Sequence, residues 1–205
     1  MSEIWPVVHA ERTALIQHLQ ALLALQWATP SLCPGWDVHD VLAHLVDDAK
    51  TTRLGFVRDF VAAGFDFDRL NARGLAREKA EDPSRTLDRF RAVSRRTTSA
   101  PAPPATRLVE AFVHGEDIRR PLGIRHDYPS THVATALGHQ LSTSVNRGGG
   151  AERARGLRLV ATDTDFDVGA GESVRGTAIA LLLAVSGRPV GPEELMGPGG
   201  AALGE

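Results

Sequence analysis

The chain has 205 residues, of which 42% are hydrophobic and 23% are charged, which is enough for one substantial core with an appendage but not for two full-sized domains. A formal net charge of -2 gives no electrostatic reason to expect nucleic acid or an anionic membrane as a partner. Cys33 is the single cysteine, so an intramolecular disulfide and a cysteine-rich metal cluster are excluded. Because a signal peptide and a long apolar run are both lacking, we expect a cytoplasmic, soluble protein.

Helical periodicity dominates the first 150 residues. Apolar residues recur at three- and four-residue spacing over 7–25, and a second helix begins after Asp37, which is suited to be its N-cap. Trp36 is placed to pack on Val41 as a hydrophobic staple, and the helical pattern extends to about Ala62. The stretch 65–83 is polar and interrupted, and a short helix is expected within it. Further helices are predicted from Pro83, over 105–120 and over 130–146, because prolines and glycines delimit these segments.

The pattern changes after the triple glycine 148–150. Residues 156–162 alternate with period two, and 166–168 are placed to return as the partner strand of a β-hairpin. The apolar run 177–185 predicts a buried helix over that hairpin. The sequence therefore predicts a mainly α protein with a helical bundle over 1–150 and a small α+β subdomain over 151–205.

Three side chains form a candidate metal site. Glu110 and His114 are four residues apart on a predicted helix, so they project from one face. His44 lies on the second helix and could face that pair. Two histidines and one carboxylate leave a fourth coordination position open, which is typical of a catalytic metal site.

Each of these residues also has an ordinary structural interpretation. A lone histidine such as His44 is more often a core or boundary residue, and Glu110 with His114 is a common helix-surface pair. Asp117 shares their helical stripe; it could orient a ligand histidine, bind the metal itself or pair with Arg107 or Arg120. These alternatives stay open at this point.

Other polar residues are weaker candidates. Cys33 lies in a turn with no adjacent base, so packing is favoured over nucleophilic chemistry. His39 is predicted on the solvent side of its helix, away from His44, and Glu116 is predicted to be solvated. Three arginines are candidates to hold a substrate carboxylate in a bidentate pair: Arg119, Arg120 and Arg188.

Several motifs together resemble the mycothiol-dependent maleylpyruvate isomerase-like family, within the DinB-like four-helix metalloprotein superfamily. They are Cys33 to Val38, Asp40 to Leu45 and Glu110 to Gly123, with weaker similarity at Gly156 to Asp163 and Leu181 to Arg188. The resemblance implies a four-helix bundle, followed by the small β-hairpin and helix, that holds one divalent metal, usually zinc, through His44, Glu110 and His114. It also implies a catalytic arginine in the C-terminal part, for which Arg188 is the equivalent.

The family resemblance further implies mycothiol, the low-molecular-weight thiol of actinobacteria, as cosubstrate. A composition of 21 arginines against Lys50 and Lys79 alone agrees with a high-GC actinobacterial source. The leading hypothesis is a zinc-dependent, thiol-using isomerase or transferase that acts on a small electrophile, with the metal activating mycothiol as a thiolate. The alternatives are a non-catalytic metal-binding bundle and a hydrolase that uses a metal-activated water. We expect a small-molecule substrate and no nucleic acid or membrane partner; the sequence does not predict the oligomeric state.

Overall fold

A computed structural model describes residues 4–204. Its α-helices are α1 (Ile4–Leu19), α2 (Val38–Lys50), α3 (Arg53–Ala62), α4 (Phe67–Glu78), α5 (Pro83–Val93), α6 (Ala105–Arg119), α7 (Ser130–Ser142), α8 (Ala178–Val185) and α9 (Gly200–Gly204). Short 3-10 turns cover Ala24–Ala28 and Val145–Arg147, and the strands are β1 (Leu157–Ala161), β2 (Asp167–Gly169) and β3 (Glu172–Gly176). The predicted mainly helical fold with a small C-terminal β element and helix is confirmed.

The described residues fall into two compact units, and helix α6 contributes to both. The first unit contains residues 4–107 and 114–125. Its core is a cluster of buried apolar side chains from α1, α2, α5 and the last turns of α6. Phe90 and Ile118 are fully buried within this cluster, and burial of such side chains is the main stabilising contribution of a helical core.

Local signals fix where the second helix starts and where it ends. Asp37 accepts a hydrogen bond from the backbone N–H of Asp40, and the Asp40 side chain accepts from the backbone of Asp37, which forms a reciprocal capping box. The sequence predicted one helix to about Ala62, and this is wrong. Helix α2 ends at Lys50 because Thr51 is extended, and Thr52 then caps the separate helix α3 through the N–H of Gly55.

The second unit contains residues 108–113 and 126–204. Strand β1 pairs with β2 in the predicted antiparallel hairpin, and β3, which the sequence did not predict, pairs with β1 in parallel. Alternate residues of β1 (Leu157, Leu159 and Ala161) are buried, and α8 packs on β1 and β3 as well as on α7.

The predicted division of the chain at residue 150 stays a prediction. Among residues 4–204, no helix combines the length and the apolar composition that a bilayer crossing requires.

Candidate metal centre

Helices α2 and α6 bring the three predicted ligands together. One ligand atom each from His44, Glu110 and His114 lies within 4.8 Å of the other two, and all three residues are half-buried. The imidazole rings of His44 and His114 are 4.8 Å apart between centroids and nearly perpendicular. Donors bound to one tetrahedral zinc ion lie about 3.4 Å apart, given bonds of about 2.05 Å. The donor set and its spacing therefore fit a divalent cation after small side-chain adjustments.

Asp117 orients the ring of His114. Its Oδ2 atom lies 2.8 Å from Nδ1 of His114, and the Asp117 side chain is fully buried. A carboxylate can only accept a hydrogen bond, so Nδ1 carries the hydrogen and Nε2 presents its lone pair. Among the interpretations that the sequence left open, this contact favours the orienting role, which is the usual arrangement behind a histidine ligand.

The segment before α2 packs beside His44. The indole ring of Trp36 lies 5.2 Å from the imidazole of His44 between centroids. Trp36 also packs on the cluster that includes Val41, as the predicted staple requires. The backbone N–H of Leu32 donates to the carbonyl of Asp117 at 3.2 Å. This segment is thus tied to the turn of α6 that carries Asp117.

A buried ion cluster joins the same two helices one turn away from the candidate ligands. Asp48, four residues after His44, pairs with Arg107, three residues before Glu110. Arg12 of α1 lies 3.9 Å from the same carboxylate and donates to the carbonyl of Arg96 at 3.0 Å. Arg12 and Arg107 are only 6% and 5% exposed. This ion cluster holds α1, α2 and α6 together, because separating buried charges from each other without solvating them is costly.

A second buried ionic group links α1 to the end of α6. Arg119 is fully buried; its Nη1 lies 3.6 Å from Glu11, and its Nε donates to Nδ1 of His18 at 3.2 Å. Burial raises the pKa of Glu11 to about 7, although Arg119 opposes the rise and Glu116 adds to it. Burial, followed by the charge of Arg119, lowers the pKa of His18.

The three candidate arginines differ in their surroundings. Arg119 is committed to the contacts just described, and Arg120 donates to the carboxylate of Glu116 at 2.7 Å. Glu116 is buried, so the prediction that it is solvated is wrong. Arg188 follows α8, is half-buried, and donates to the carbonyl of Ser186 at 3.0 Å.

The sequence also predicted the surroundings of His39 and Cys33. His39 is 5% exposed and its Nε2 lies 2.8 Å from the hydroxyl of Thr86, so the prediction of a solvent-facing side chain is wrong. The apolar stripe of α2 did not predict the burial of His39, because α5 and Lys79 cover the side of α2 that carries this residue. Burial, followed by the charge of Lys79, lowers the pKa of His39. Cys33 is half-buried against the core of the first unit, which favours the packing interpretation.

Solved structures of other proteins have a fold similar to that of this chain. Two solved structures match with a TM-score of 0.65 over 96% of this chain and 92% of theirs. One is the mycothiol-dependent maleylpyruvate isomerase, at 15% identity, and the other is a histidine-to-alanine variant of it, at 14% identity. The search of curated proteins found no match.

The fold thus defines a mainly helical protein of the maleylpyruvate isomerase type. A family model described as the mycothiol maleylpyruvate isomerase N-terminal domain matches residues 8–119, and the chain belongs to that family.

Proposed function

We propose that this chain is a mycothiol-dependent, metal-assisted isomerase that acts on a small electrophilic acid. The observation that carries the proposal is the convergence of one donor atom each from His44, Glu110 and His114 within 4.8 Å. Family membership over residues 8–119 supports mycothiol as the cosubstrate and isomerisation as the class of reaction. Cytoplasmic location stays an expectation from the sequence.

The three donors would hold one divalent cation, and zinc suits two imidazoles and a carboxylate. Such a cation, when bound, favours the thiolate form of a thiol that reaches its open position. Asp117 holds the Nδ1 hydrogen of His114, so that Nε2 remains available as a donor. Trp36 packs beside His44 and limits the positions that the imidazole can adopt.

Isomerisation then needs no redox partner. The thiolate sulfur adds to one carbon of a conjugated double bond, and the electron pair moves onto the neighbouring carbonyl. The former double bond rotates, the electron pair returns, and the carbon–sulfur bond breaks to release the thiolate unchanged. A cis-configured oxo acid such as maleylpyruvate has the required conjugation.

Arg188 would hold a carboxylate of that substrate, because a planar guanidinium binds a carboxylate with two parallel hydrogen bonds. Nη1 of Arg188 donates to the carbonyl of Ser186 at 3.0 Å, which places the guanidinium beside the end of α8. Arg188→Lys would then raise KM for the acid more than it lowers kcat, because lysine keeps the charge and loses the two-pronged geometry.

The test is mycothiol-dependent isomerisation of maleylpyruvate by zinc-loaded protein, followed optically. Wild type is compared with Glu110→Gln, which removes a donor, and with Glu81→Gln, an exposed glutamate outside the site. We expect activity in wild type and Glu81→Gln that requires the thiol, and a loss of at least about 100-fold in Glu110→Gln.

Cobalt-substituted protein separates the alternatives. A sulfur-to-cobalt band that appears on adding mycothiol supports the thiol enzyme. Stoichiometric metal without this band and with ester or amide hydrolysis would favour a hydrolase, and stoichiometric metal without either would favour a binding protein.

A further inference from the structure

The end of α2, the start of α3 and the last turn of α4 surround a cleft in the first unit. Its volume is about 700 Å³, which lies within the range of small-molecule sites, about 300–1,000 Å³. We call it the α3 cleft. Six charged residues line it: Asp47, Lys50, Arg58, Asp59, Arg77 and Glu78.

The charges of the α3 cleft balance, because three of these six residues are acidic and three are basic. A strongly charged ligand therefore gains no net attraction from the lining. Leu54, which is 85% exposed, is the only large apolar side chain among the described residues of the lining, so an apolar ligand gains little as well. Thr51 and Thr52 add hydroxyl groups. This lining is suited to an uncharged ligand with many hydroxyl groups, since each hydroxyl both donates and accepts hydrogen bonds.

Ion pairs hold the polar groups of the α3 cleft in place. Nζ of Lys50 donates to the carboxylate of Glu78 at 2.7 Å. The carboxylate of Asp59 accepts from Nε of Arg58 at 2.7 Å and from Nη1 of Arg77 at 3.5 Å. An ammonium has three N–H donors and a carboxylate accepts about four hydrogen bonds, so Lys50 and Asp59 retain capacity for a ligand. Because these side chains are already held in position, a ligand that binds them loses less conformational entropy.

Helix α2 leads from the candidate metal centre to the α3 cleft. His44, Asp47 and Thr51 follow one another at intervals of three and four residues, so they share one stripe that runs to the C-cap of the helix. At a rise of 1.5 Å per residue, Asp47 lies about 4.5 Å and Thr51 about 10.5 Å beyond His44 along the axis. The cleft therefore begins within about one turn of a candidate ligand.

The chemical structure of mycothiol matches this distance. An amide joins the carbonyl group of its N-acetylcysteine to a glucosamine–inositol unit, which is uncharged and carries many hydroxyl groups. Roughly 7 Å of extended chain separates the sulfur from the first sugar ring, given ordinary bond lengths. A mycothiol whose sulfur lies at the candidate metal centre can thus place its sugar unit in the α3 cleft.

On the basis of the proposed mycothiol dependence, we propose that the α3 cleft binds the glucosamine–inositol portion of mycothiol while the thiol occupies the candidate metal centre. Asp59 accepts hydrogen bonds from the sugar hydroxyls, Lys50 donates to them, and Leu54 packs on the C–H face of a ring. These contacts are remote from the reacting atoms and are the same in the ground state and the transition state. They therefore lower KM for mycothiol and leave kcat unchanged.

Binding of a sulfur-free fragment tests the cleft without catalysis. The probe is N-acetylglucosaminyl-inositol, and saturation-transfer NMR on full-length protein measures its Kd, expected on the order of 1 mM for a small neutral ligand. Asp59→Ala should weaken binding by at least about tenfold, because it removes hydrogen bonds to a charged group. Asp167→Ala is the control, since Asp167 also accepts from the Nε of an arginine, Arg158, at 2.8 Å, and should bind as wild type does. Because Arg58 and Arg158 are exposed, both variants should keep the circular dichroism spectrum of wild type.

Kinetics with two thiols test the connection to mycothiol. N-Acetylcysteine has the same thiol and lacks the sugar unit. Asp59→Ala should raise KM for mycothiol about tenfold with kcat unchanged, and it should leave kcat/KM for N-acetylcysteine as in wild type. Equal losses with both thiols would contradict a role of Asp59 in holding the sugar unit.

Wild type that does not bind the fragment, or Asp59→Ala that binds it equally well, overturns the proposal. A fragment that binds without weakening the binding of mycothiol also overturns it and assigns the cleft to a free polyol. Fragment binding that competes with mycothiol and is lost in Asp59→Ala, in a protein without isomerase activity, retains the cleft and refutes the isomerase. Isomerase activity with an unchanged KM for mycothiol in Asp59→Ala refutes the cleft alone.

Discussion

His114 and Asp117 lie one turn apart on α6, and Nδ1 of the imidazole is 2.8 Å from Oδ2 of the buried carboxylate. This contact connects the fold to the chemistry, because a hydrogen held on Nδ1 leaves the lone pair of His114 on Nε2. It also explains a carboxylate that is fully buried near the end of a helix.

Asp117→Asn should lower zinc affinity by about 10- to 100-fold. The amide can turn its NH₂ group toward Nδ1, which then accepts, and the hydrogen moves to Nε2 and blocks the donor lone pair. Competition with a chromogenic chelator measures the affinity. Asp127→Asn, at an exposed position, is the control and should bind as wild type does. Equal affinity in the two variants would show that Asp117 does not orient the ligand.

The Asp48 cluster should contribute strongly to stability. Asp48→Asn removes the charged carboxylate that faces the buried guanidinium groups of Arg12 and Arg107, which should lower the free energy of unfolding by about 3–5 kcal/mol. Urea unfolding measures this loss. The matched control is Asp167→Asn, which breaks an ion pair with Arg158 whose side chains are 44% and 52% exposed; no measurable change is expected there. Similar midpoints for the two variants would contradict the role assigned to the cluster.

Glu11 should make stability depend on pH near neutrality. Its pKa is raised by burial from 4.5 to about 7, so the folded state binds a proton between these values that the unfolded state has released. The contribution of protonated Glu11 to the free energy of unfolding is fully present below pH 4.5 and is lost as the pH rises through 7. The loss amounts to at most about 3 kcal/mol.

Urea unfolding at pH 5 and pH 8, on wild type and Glu11→Gln, isolates this effect. We expect wild type to lose stability relative to Glu11→Gln as the pH is raised, because glutamine keeps the shape of the acid and does not titrate. A difference that is constant across this range would contradict the raised pKa.

Two glycines inside helices should respond oppositely to the same substitution. A Cβ on Gly74 of α4 would lie 2.6 Å from Cγ of Asp47, whereas a Cβ on Gly138 of α7 meets nothing within 4 Å. Gly74→Ala should therefore destabilise the protein by about 1–3 kcal/mol through overpacking. Gly138→Ala should stabilise it by about 0.5–1 kcal/mol, because alanine has the higher helix propensity. Thermal melts measure both, and stabilisation by both would show that α4 does not pack closely on Asp47.

Much of the fold could be predicted because its signals are local. The capping of α2 by Asp37, the start of α5 at Pro83 and the β1–β2 hairpin each depend on residues a few positions apart. Helix α3 and strand β3 were missed for a physical reason. Thr51 and Thr52 give little sequence signal for a break. Strand β3 pairs in parallel with β1, its direct neighbour in the sheet, although β2 lies between them in the sequence.

The candidate site was predictable in part. That Glu110 and His114 lie on one helix face follows from their spacing in the sequence. Their approach to His44 depends on how the helices pack, and it was expected only from the family resemblance. Burial of His39 and Glu116 was not predictable, because it depends on what covers each helix face. The ionic groups around Asp48 and Arg119 join distant segments and leave no local pattern.

The central claim is tested most directly by metal stoichiometry. Purified wild type, His44→Ala, His114→Ala and the control His132→Ala are loaded with zinc, dialysed and assayed by elemental analysis, with folding checked by circular dichroism. The account predicts close to one zinc per chain in wild type and His132→Ala, and none in folded His44→Ala and His114→Ala. Folded wild type without bound metal, or full occupancy in both ligand variants, would contradict it.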